Sequence, residues 1–561
     1  MSRKSVGKVL FASLLACFAV QTATAQSFRV QCPTSTITHP NAANNNSEPA
    51  YAGPTTWTLG ASGYYTPATN VNGAIKCQQI SGGDGYSTMA NGTQTFMFSF
   101  GPLSGLADIA NGLPGTEFPN VFNSVYSGTF KPGDPATTDG ASDTTSAGYV
   151  PGNTAAFTYN GAVGLTPDMD AQGAGLCGGT TGVSCLDGHV DPRQIMDVGV
   201  MNGNIPAPLM AFDEDDEFFL TLSNVGMIMR PDLFEQHTVH FHGYPNASSF
   251  YDGVPDASIA INIGGSFTYY YLAPDAGTYF WHCHITPPEH LQMGMVGQLY
   301  VRPRQNRVAV GNSLYASLQA QQGDLRTACR RPGDVATSIA PAVTSYAAVD
   351  VVCTNPVPAV NSGVNAVAGI KYAYNDGDGS TGYNVEYPLQ IHGFDPNFHF
   401  VGMTFNPEAF VDMKDKFFLL NGRSYPDTVT PGPLATQTAD GASHYSQPLN
   451  SIINIPAGGK ALLRISDLSV TEYATLASLG IPMKVIGYNA KLLRDQEGNN
   501  LAYTTNSITL AGGESLDVIL DASNTTLYPS GSVFYLFTPQ LDHLANDQEN
   551  FGGLMTEVRI N

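Results

Sequence analysis

Side chains on an extended chain alternate between two faces, and two short segments of this sequence place ligand chemistry on that alternation. One is W-H-C-H-I-T-P-P-E-H-L-Q-M-G-M, Trp281 to Met295; the other is H-T-V-H-F-H-G, His237 to Gly243. If His282-Cys283-His284 is extended, the sulfur points one way and both imidazoles point the other. By the same logic His240 and His242 share a face, and His237, three residues earlier, lies on the opposite one. The sequence therefore asks for a β fold that makes these segments neighbours and uses both of their faces.

Each face collects a chemically coherent set. His237, Cys283, His290 and Met295 supply two imidazoles, a thiolate and a weak axial thioether, the donor set of a blue-copper electron-transfer site. Met293 is a rival axial ligand on the same face as Met295; the five-residue step from His290 selects Met295. His240, His242, His282 and His284 supply an all-imidazole cluster behind the first set. Soft sulfur with imidazole selects copper over hard cations. Zinc, or histidines merely buried in the core, is the blander alternative, weakened by so many ligands in two ordered motifs. Cys283, His282 and His284 are the expected catalytic residues, because the bonds joining them form a short covalent electron path between the faces.

The cysteine inventory agrees. Of eight cysteines, Cys17 lies in the leader. Cys32 with Cys77, Cys177 with Cys185 and Cys329 with Cys353 group by proximity as disulfides suited to an exported chain. Cys283 is left as the free thiol.

The first eight residues, M-S-R-K-S-V-G-K, precede an apolar run and A-T-A, which reads as a secretory leader cleaved after Ala25. No other run reaches the length of a membrane helix. The leader carries Arg3, Lys4 and Lys8 and no acid, so its loss takes the net charge from −22 to −25. Such a chain repels nucleic acid and anionic membrane. A periplasmic, secreted or cell-surface location follows as the expectation.

Glycine (59) and proline (37) are abundant, and alternating runs starting at Glu217, Ser266, Lys460 and Ser515 read as strands. Turn glycines precede several of them. Many short strands with regular turns indicate Greek-key sandwiches. Ser313 to Gln322 is the best helical candidate. The expected organisation is all-β, with two cupredoxin-like sandwiches. After the leader (1–25), the first domain spans 26–304 and carries the copper motifs, with a long insertion at about 112–191. A connector covers 305–384. The second domain, 385–561, has no blue-copper site.

The motifs resemble the multicopper oxidases. The likeness includes Gly243 after the H-x-H pair, D-G-V-P (Asp252 to Pro255) and G-T-Y-F-W-H-C-H (Gly277 to His284). L-N-G-R-S-Y-P-D-T (Leu420 to Thr428) and F-G-G-L-M-T-E-V (Phe551 to Val558) resemble the second cupredoxin domain of bacterial members. The resemblance implies one-electron oxidation of a phenol or metal ion at the blue copper, with electrons passed to a type 2/type 3 cluster that reduces oxygen. Copper nitrite reductases also keep the blue site in the first domain, but an aspartate matches His240 and a non-ligand residue matches His284. A nitrite-reductase-like trimer is thus the weaker alternative. That oxidase family completes its cluster with eight histidines in four H-x-H pairs, and this chain has two pairs. Either a second copy in a homo-oligomer contributes His392 and His399, or His543, or the cluster is incomplete. In the latter case the chain would be an electron carrier or copper-binding protein. Asp252 and Glu289 are expected to orient ligand imidazoles. Met227 and Met229 are core residues before they are a cuprous-ion entry.

Overall fold

The computed structural model describes residues 32–102, 113–122, 203–321 and 363–561, apart from short gaps at 228–229, 231, 244–247, 264, 274, 403–408, 438–442 and 496–497. The segment read as a leader (1–25), the insertion beyond residue 122 with its cysteines, Cys329, Cys353, His189 and Met229 lie outside the described residues.

Two β-sandwiches dominate the described residues, with three two-stranded sheets beside them, and helices are short. In the first, one sheet runs Gln94–Pro102, Ile75–Thr88, Glu217–Gly226, Ser266–Leu272, and the other Met210–Asp213, Val296–Arg302, Gly277–His282, His240–His242. Ile75–Thr88 pairs in parallel with Glu217–Gly226, and Met210–Asp213 with Val296–Arg302; the remaining pairs are antiparallel. Their inner faces share one apolar core that includes Phe98, Phe100, Phe212, Leu220, Phe241, Tyr269, Trp281 and Leu299. Trp281 fits because Gly297 lies opposite it; a Cβ there would stand 2.3 Å from the indole.

The second sandwich packs a sheet containing Val385–Phe394, Phe417–Leu420, Lys460–Asp467, Glu514–Asp521 and Met483–Tyr488 against one containing Ile453–Ile455, Met555–Ile560, Val533–Phe537, Ala474–Leu479 and Ser507–Leu510. Alternation is plain in Met555–Ile560, where every second residue is buried. Leu389, Leu463, Leu476, Val518, Leu536 and Val558 belong to its core. The helix read at Ser313 to Gln322 forms over Leu314–Gln321. Cys32 and Cys77 are joined as a disulfide.

Alternation along Gly277–His282 is what joins the sandwiches. Tyr279, Trp281 and then Cys283 turn into the first core. Thr278 turns outward and donates from Oγ1 to Asp517 Oδ1 at 2.6 Å, while its carbonyl accepts from Ser515 Oγ at 2.8 Å. Phe280 packs on Leu468 of the second sandwich. Beside them Glu386 bridges Arg302, 2.7 Å away, and the buried Arg464, 2.9 Å away. The outer face of this strand, which also carries His282, is therefore held against the second sandwich by apolar contact and by ion pairs.

Candidate metal centre

Extended backbone sorts the two motifs as expected. His240–His242 is a strand paired antiparallel to Gly277–His282, with His240 opposite His282. Phe241 enters the core while His240 and His242 face out. His237 is fully buried on the inner side, its ring against Phe98 and Phe100. The strand assignment ends at His282, but pairing continues for one step: the Cys283 N–H donates to the Met295 carbonyl at 3.2 Å.

On the inner face, donor atoms of His237, Cys283 and His290 lie within 4.8 Å of one another. His290 Nδ1 is 3.2 Å from Cys283 Sγ. The Thr238 N–H points at the same sulfur from 3.4 Å, a charge-assisted contact suited to a thiolate. His290 is carried by the helix Pro287–Gln292, which returns the chain to the sulfur and delivers Met293 and Met295, both buried in the surrounding core. Burial, with His290 alongside, pushes the His237 imidazole well below its ordinary range, so it is neutral. Burial acts the same way on His290, but the Cys283 sulfur and the Glu235 carboxylate outweigh it and hold the ring at about 9.

The outer face assembles four imidazoles. Donor atoms of His240, His242 and His282 fall within 4.8 Å of one another, and the His284 ring centre lies 5.0 Å from that of His240. Two tautomers are set by backbone carbonyls. His282 Nδ1–H donates to the Cys283 carbonyl at 2.6 Å, and His240 Nδ1–H donates to the Asp252 carbonyl at 2.7 Å. Each leaves Nε2 as the acceptor nitrogen, the arrangement that metal-bound histidines normally receive from their surroundings; at His282 that nitrogen accepts from His242 Nε2–H at 2.8 Å. Burial, then the neighbouring imidazoles, lower His242 to about 4 and, against the donated hydrogen bond, His282 to about 3. His284 is fixed through its N–H, which donates to Thr238 Oγ1 at 3.0 Å.

The structure keeps His392, His399 and His543 away from both faces. His399 turns Nδ1 to the Phe96 carbonyl at 2.6 Å and Nε2 to the Gln292 carbonyl at 2.9 Å, with its ring stacked on Phe394. His392 is buried and meets the Leu468 carbonyl at 3.3 Å. His543 stacks on Phe418 and bonds Glu472 at 2.7 Å. Met227 is in the first core.

Two orienting groups differ from expectation. Asp252 acts through its carbonyl, while its carboxylate stands 3.6 Å from His240. At His290 the partner is Glu235, 3.3 Å from Nε2, rather than Glu289. Glu235 stands two residues before His237; a search for carboxylates flanking both motifs, instead of within the ligand loops alone, would have found it.

Residues 186–306 match the family described as Multicopper oxidase. "Multicopper oxidase MCE" of Talaromyces pinophilus is 35% identical over 112 residues, 20% of this chain and 17% of that protein. "Laccase abr2" of Aspergillus fumigatus is 30% identical over 128 residues, 22% of this chain and 20% of that protein. The chain thus spans about a fifth of the length of these curated relatives. Among solved structures, the Blue Copper Oxidase from Nitrosomonas europaea aligns with a TM-score of 0.39 at 19% identity, over 64% of this chain and 78% of that one. The segment that matches this family, residues 186–306, holds both histidine motifs and every candidate ligand of the two faces described above.

Proposed function

We propose that this protein is an exported copper-dependent oxidoreductase that removes electrons singly from a small donor, a phenol or a metal ion, and passes them to oxygen. The observation that carries the reading is the position of Cys283. Its sulfur belongs to the inner donor set, while the residues bonded to it on either side belong to the outer one.

The inner donors suit copper. His237 is completely buried, and neither ring nitrogen has a hydrogen-bond partner within the protein. Leaving two such groups unsatisfied is costly unless something else engages them. His237, Cys283, His290 and the axial Met295 would hold a blue copper; His240, His242, His282 and His284 would hold copper through imidazole. When bound, copper supplies one-electron redox chemistry at both faces.

The protein's own residues do the rest. The Thr238 N–H stabilises negative charge on Sγ, and Glu235 fixes the ring plane of His290. Phe98, Phe100 and Trp281 exclude water from the inner donors and keep the dielectric low. The covalent chain through Cys283 gives an electron a through-bond route between the faces. Export is supported by the leader at 1–25. Among the described residues no helix is long and apolar enough to cross a membrane.

The test is Cys283→Ser. Oxygen uptake with a phenol or a ferrous or manganous salt as donor should vanish while the circular dichroism spectrum stays unchanged. Full uptake by this variant would refute the proposal. The presence of only two H-x-H pairs favours a second reading, an electron carrier. That reading predicts blue colour with no oxygen uptake by the native chain.

A further inference from the structure

The outer face has too few histidines for a trinuclear cluster, and they stand where a single ion would gather them. Ring centres are 4.9 Å apart for His240 and His242, 4.9 Å for His242 and His282, and 5.0 Å for His240 and His284. They are 5.5 Å apart for His240 and His282, and 5.7 Å for His282 and His284. A metal–imidazole bond of about 2.0–2.1 Å puts each ring centre about 3.2 Å from the ion, so tetrahedral rings stand about 5.2 Å apart. His242 Nε2 and His282 Nε2 are 2.8 Å apart. Two nitrogens on one tetrahedral ion would be about 3.3–3.4 Å apart, so an ion that replaces this hydrogen bond needs the two rings to part by only about half an ångström. His282 Nε2 and His240 Nε2 are both acceptor nitrogens, because each ring spends its N–H on a carbonyl.

Apart from its own His240, His242, His282 and His284, a second copy of the chain has no four histidines left to supply. The sequence holds twelve. Besides the four on this face and the two beside Cys283, His39 is buried against Glu217 at 2.8 Å and the Asn72 carbonyl at 3.0 Å. His392, His399 and His543 are buried at the contacts given above. Only His189 and His444 are left. Four imidazoles divided among three ions, or between two, would leave each ion with too few protein ligands, whereas one ion takes three or four.

Resting on the proposal that the domain binds copper, we infer that the outer face is a mononuclear copper site. His240, His242 and His282 bind through nitrogen, and His284 is the fourth ligand. A loaded chain would then carry two coppers and hold two electrons, not four.

Copper per chain, measured by elemental analysis, and quantitative electron paramagnetic resonance on the full-length protein loaded with Cu(II) test this. Two coppers are expected, one blue and one non-blue, both visible as spins. Non-blue copper in excess of one per chain, or copper that is silent because it is magnetically paired, overturns the inference. Cys283→Ser separates this from the blue-copper reading: it should bind one non-blue copper, and more than one or none overturns the inference. A missing blue signal in the native chain counts against the Cys283 site alone. If Cys283→Ser fails to fold, the non-blue spin count of the native chain decides.

Discussion

A Cβ added at Gly82 would stand 2.4 Å from Cδ2 of His237. Gly82 lies in the strand Ile75–Thr88, on the sheet facing the one that carries the cysteine. It owes its identity to this close approach and not to an unusual backbone angle. The bare backbone makes room for the His237 ring behind Cys283.

Gly82→Ala should therefore displace His237 without touching any ligand. The expected result is a loss of stability of about 1–3 kcal/mol from overpacking and at least a tenfold fall in copper affinity at the inner site. Titration of the blue absorption with Cu(II) checks it, and an unchanged titration would show that His237 is not held there by Gly82.

Glu235→Gln should keep the blue copper but raise its reduction potential by tens of millivolts. The variant removes a negative charge that lies 3.3 Å from His290 Nε2 and favours the oxidised ion. A spectroelectrochemical titration of native and variant proteins reads the shift. A lower potential, or none, would mean that the carboxylate is neutral or turned away once copper is bound.

Glu386 ties acid stability to the junction between the sandwiches. Burial opposes its ionisation, but Arg302 and Arg464 prevail and bring the carboxyl from 4.5 down to about 2. A lowered folded pKa stabilises above the unfolded value, so this contribution is complete above pH 4.5 and is lost as pH falls toward about 2. The full effect is on the order of 3 kcal/mol. Denaturant unfolding at pH 5 and pH 3 should show a shallower pH dependence for Glu386→Gln. The variant should also be less stable at pH 5, because the buried Arg464 and the half-buried Arg302 lose a shared counter-charge.

The Cys32–Cys77 disulfide closes a loop of 45 residues. Removing it by Cys32→Ala with Cys77→Ala should cost about 4 kcal/mol on the chain-entropy view. Thermal unfolding of native and variant chains would show the fall in midpoint, while the blue absorption of the loaded, folded protein stays unchanged. Loss of blue colour before unfolding would show that the disulfide also shapes the metal site.

The division of the candidate ligands between two faces was legible in the sequence because strand alternation is strictly local. His282, Cys283 and His284 sort themselves by a period of two, and so do His240, Phe241 and His242, wherever the strands lie. The strands at Glu217, Ser266 and Lys460 were legible for the same reason. Tertiary structure alone decided what surrounds them. It placed Gly82 behind His237, put the Asp252 carbonyl and not its carboxylate on His240, and gave His290 to Glu235 in place of Glu289. It also buried His392 and His399 among carbonyls and aromatic rings. These are contacts between residues distant in the chain or across a turn. No periodicity encodes them, since they follow from how two sandwiches close on one another and from which polar groups that closure leaves to be satisfied.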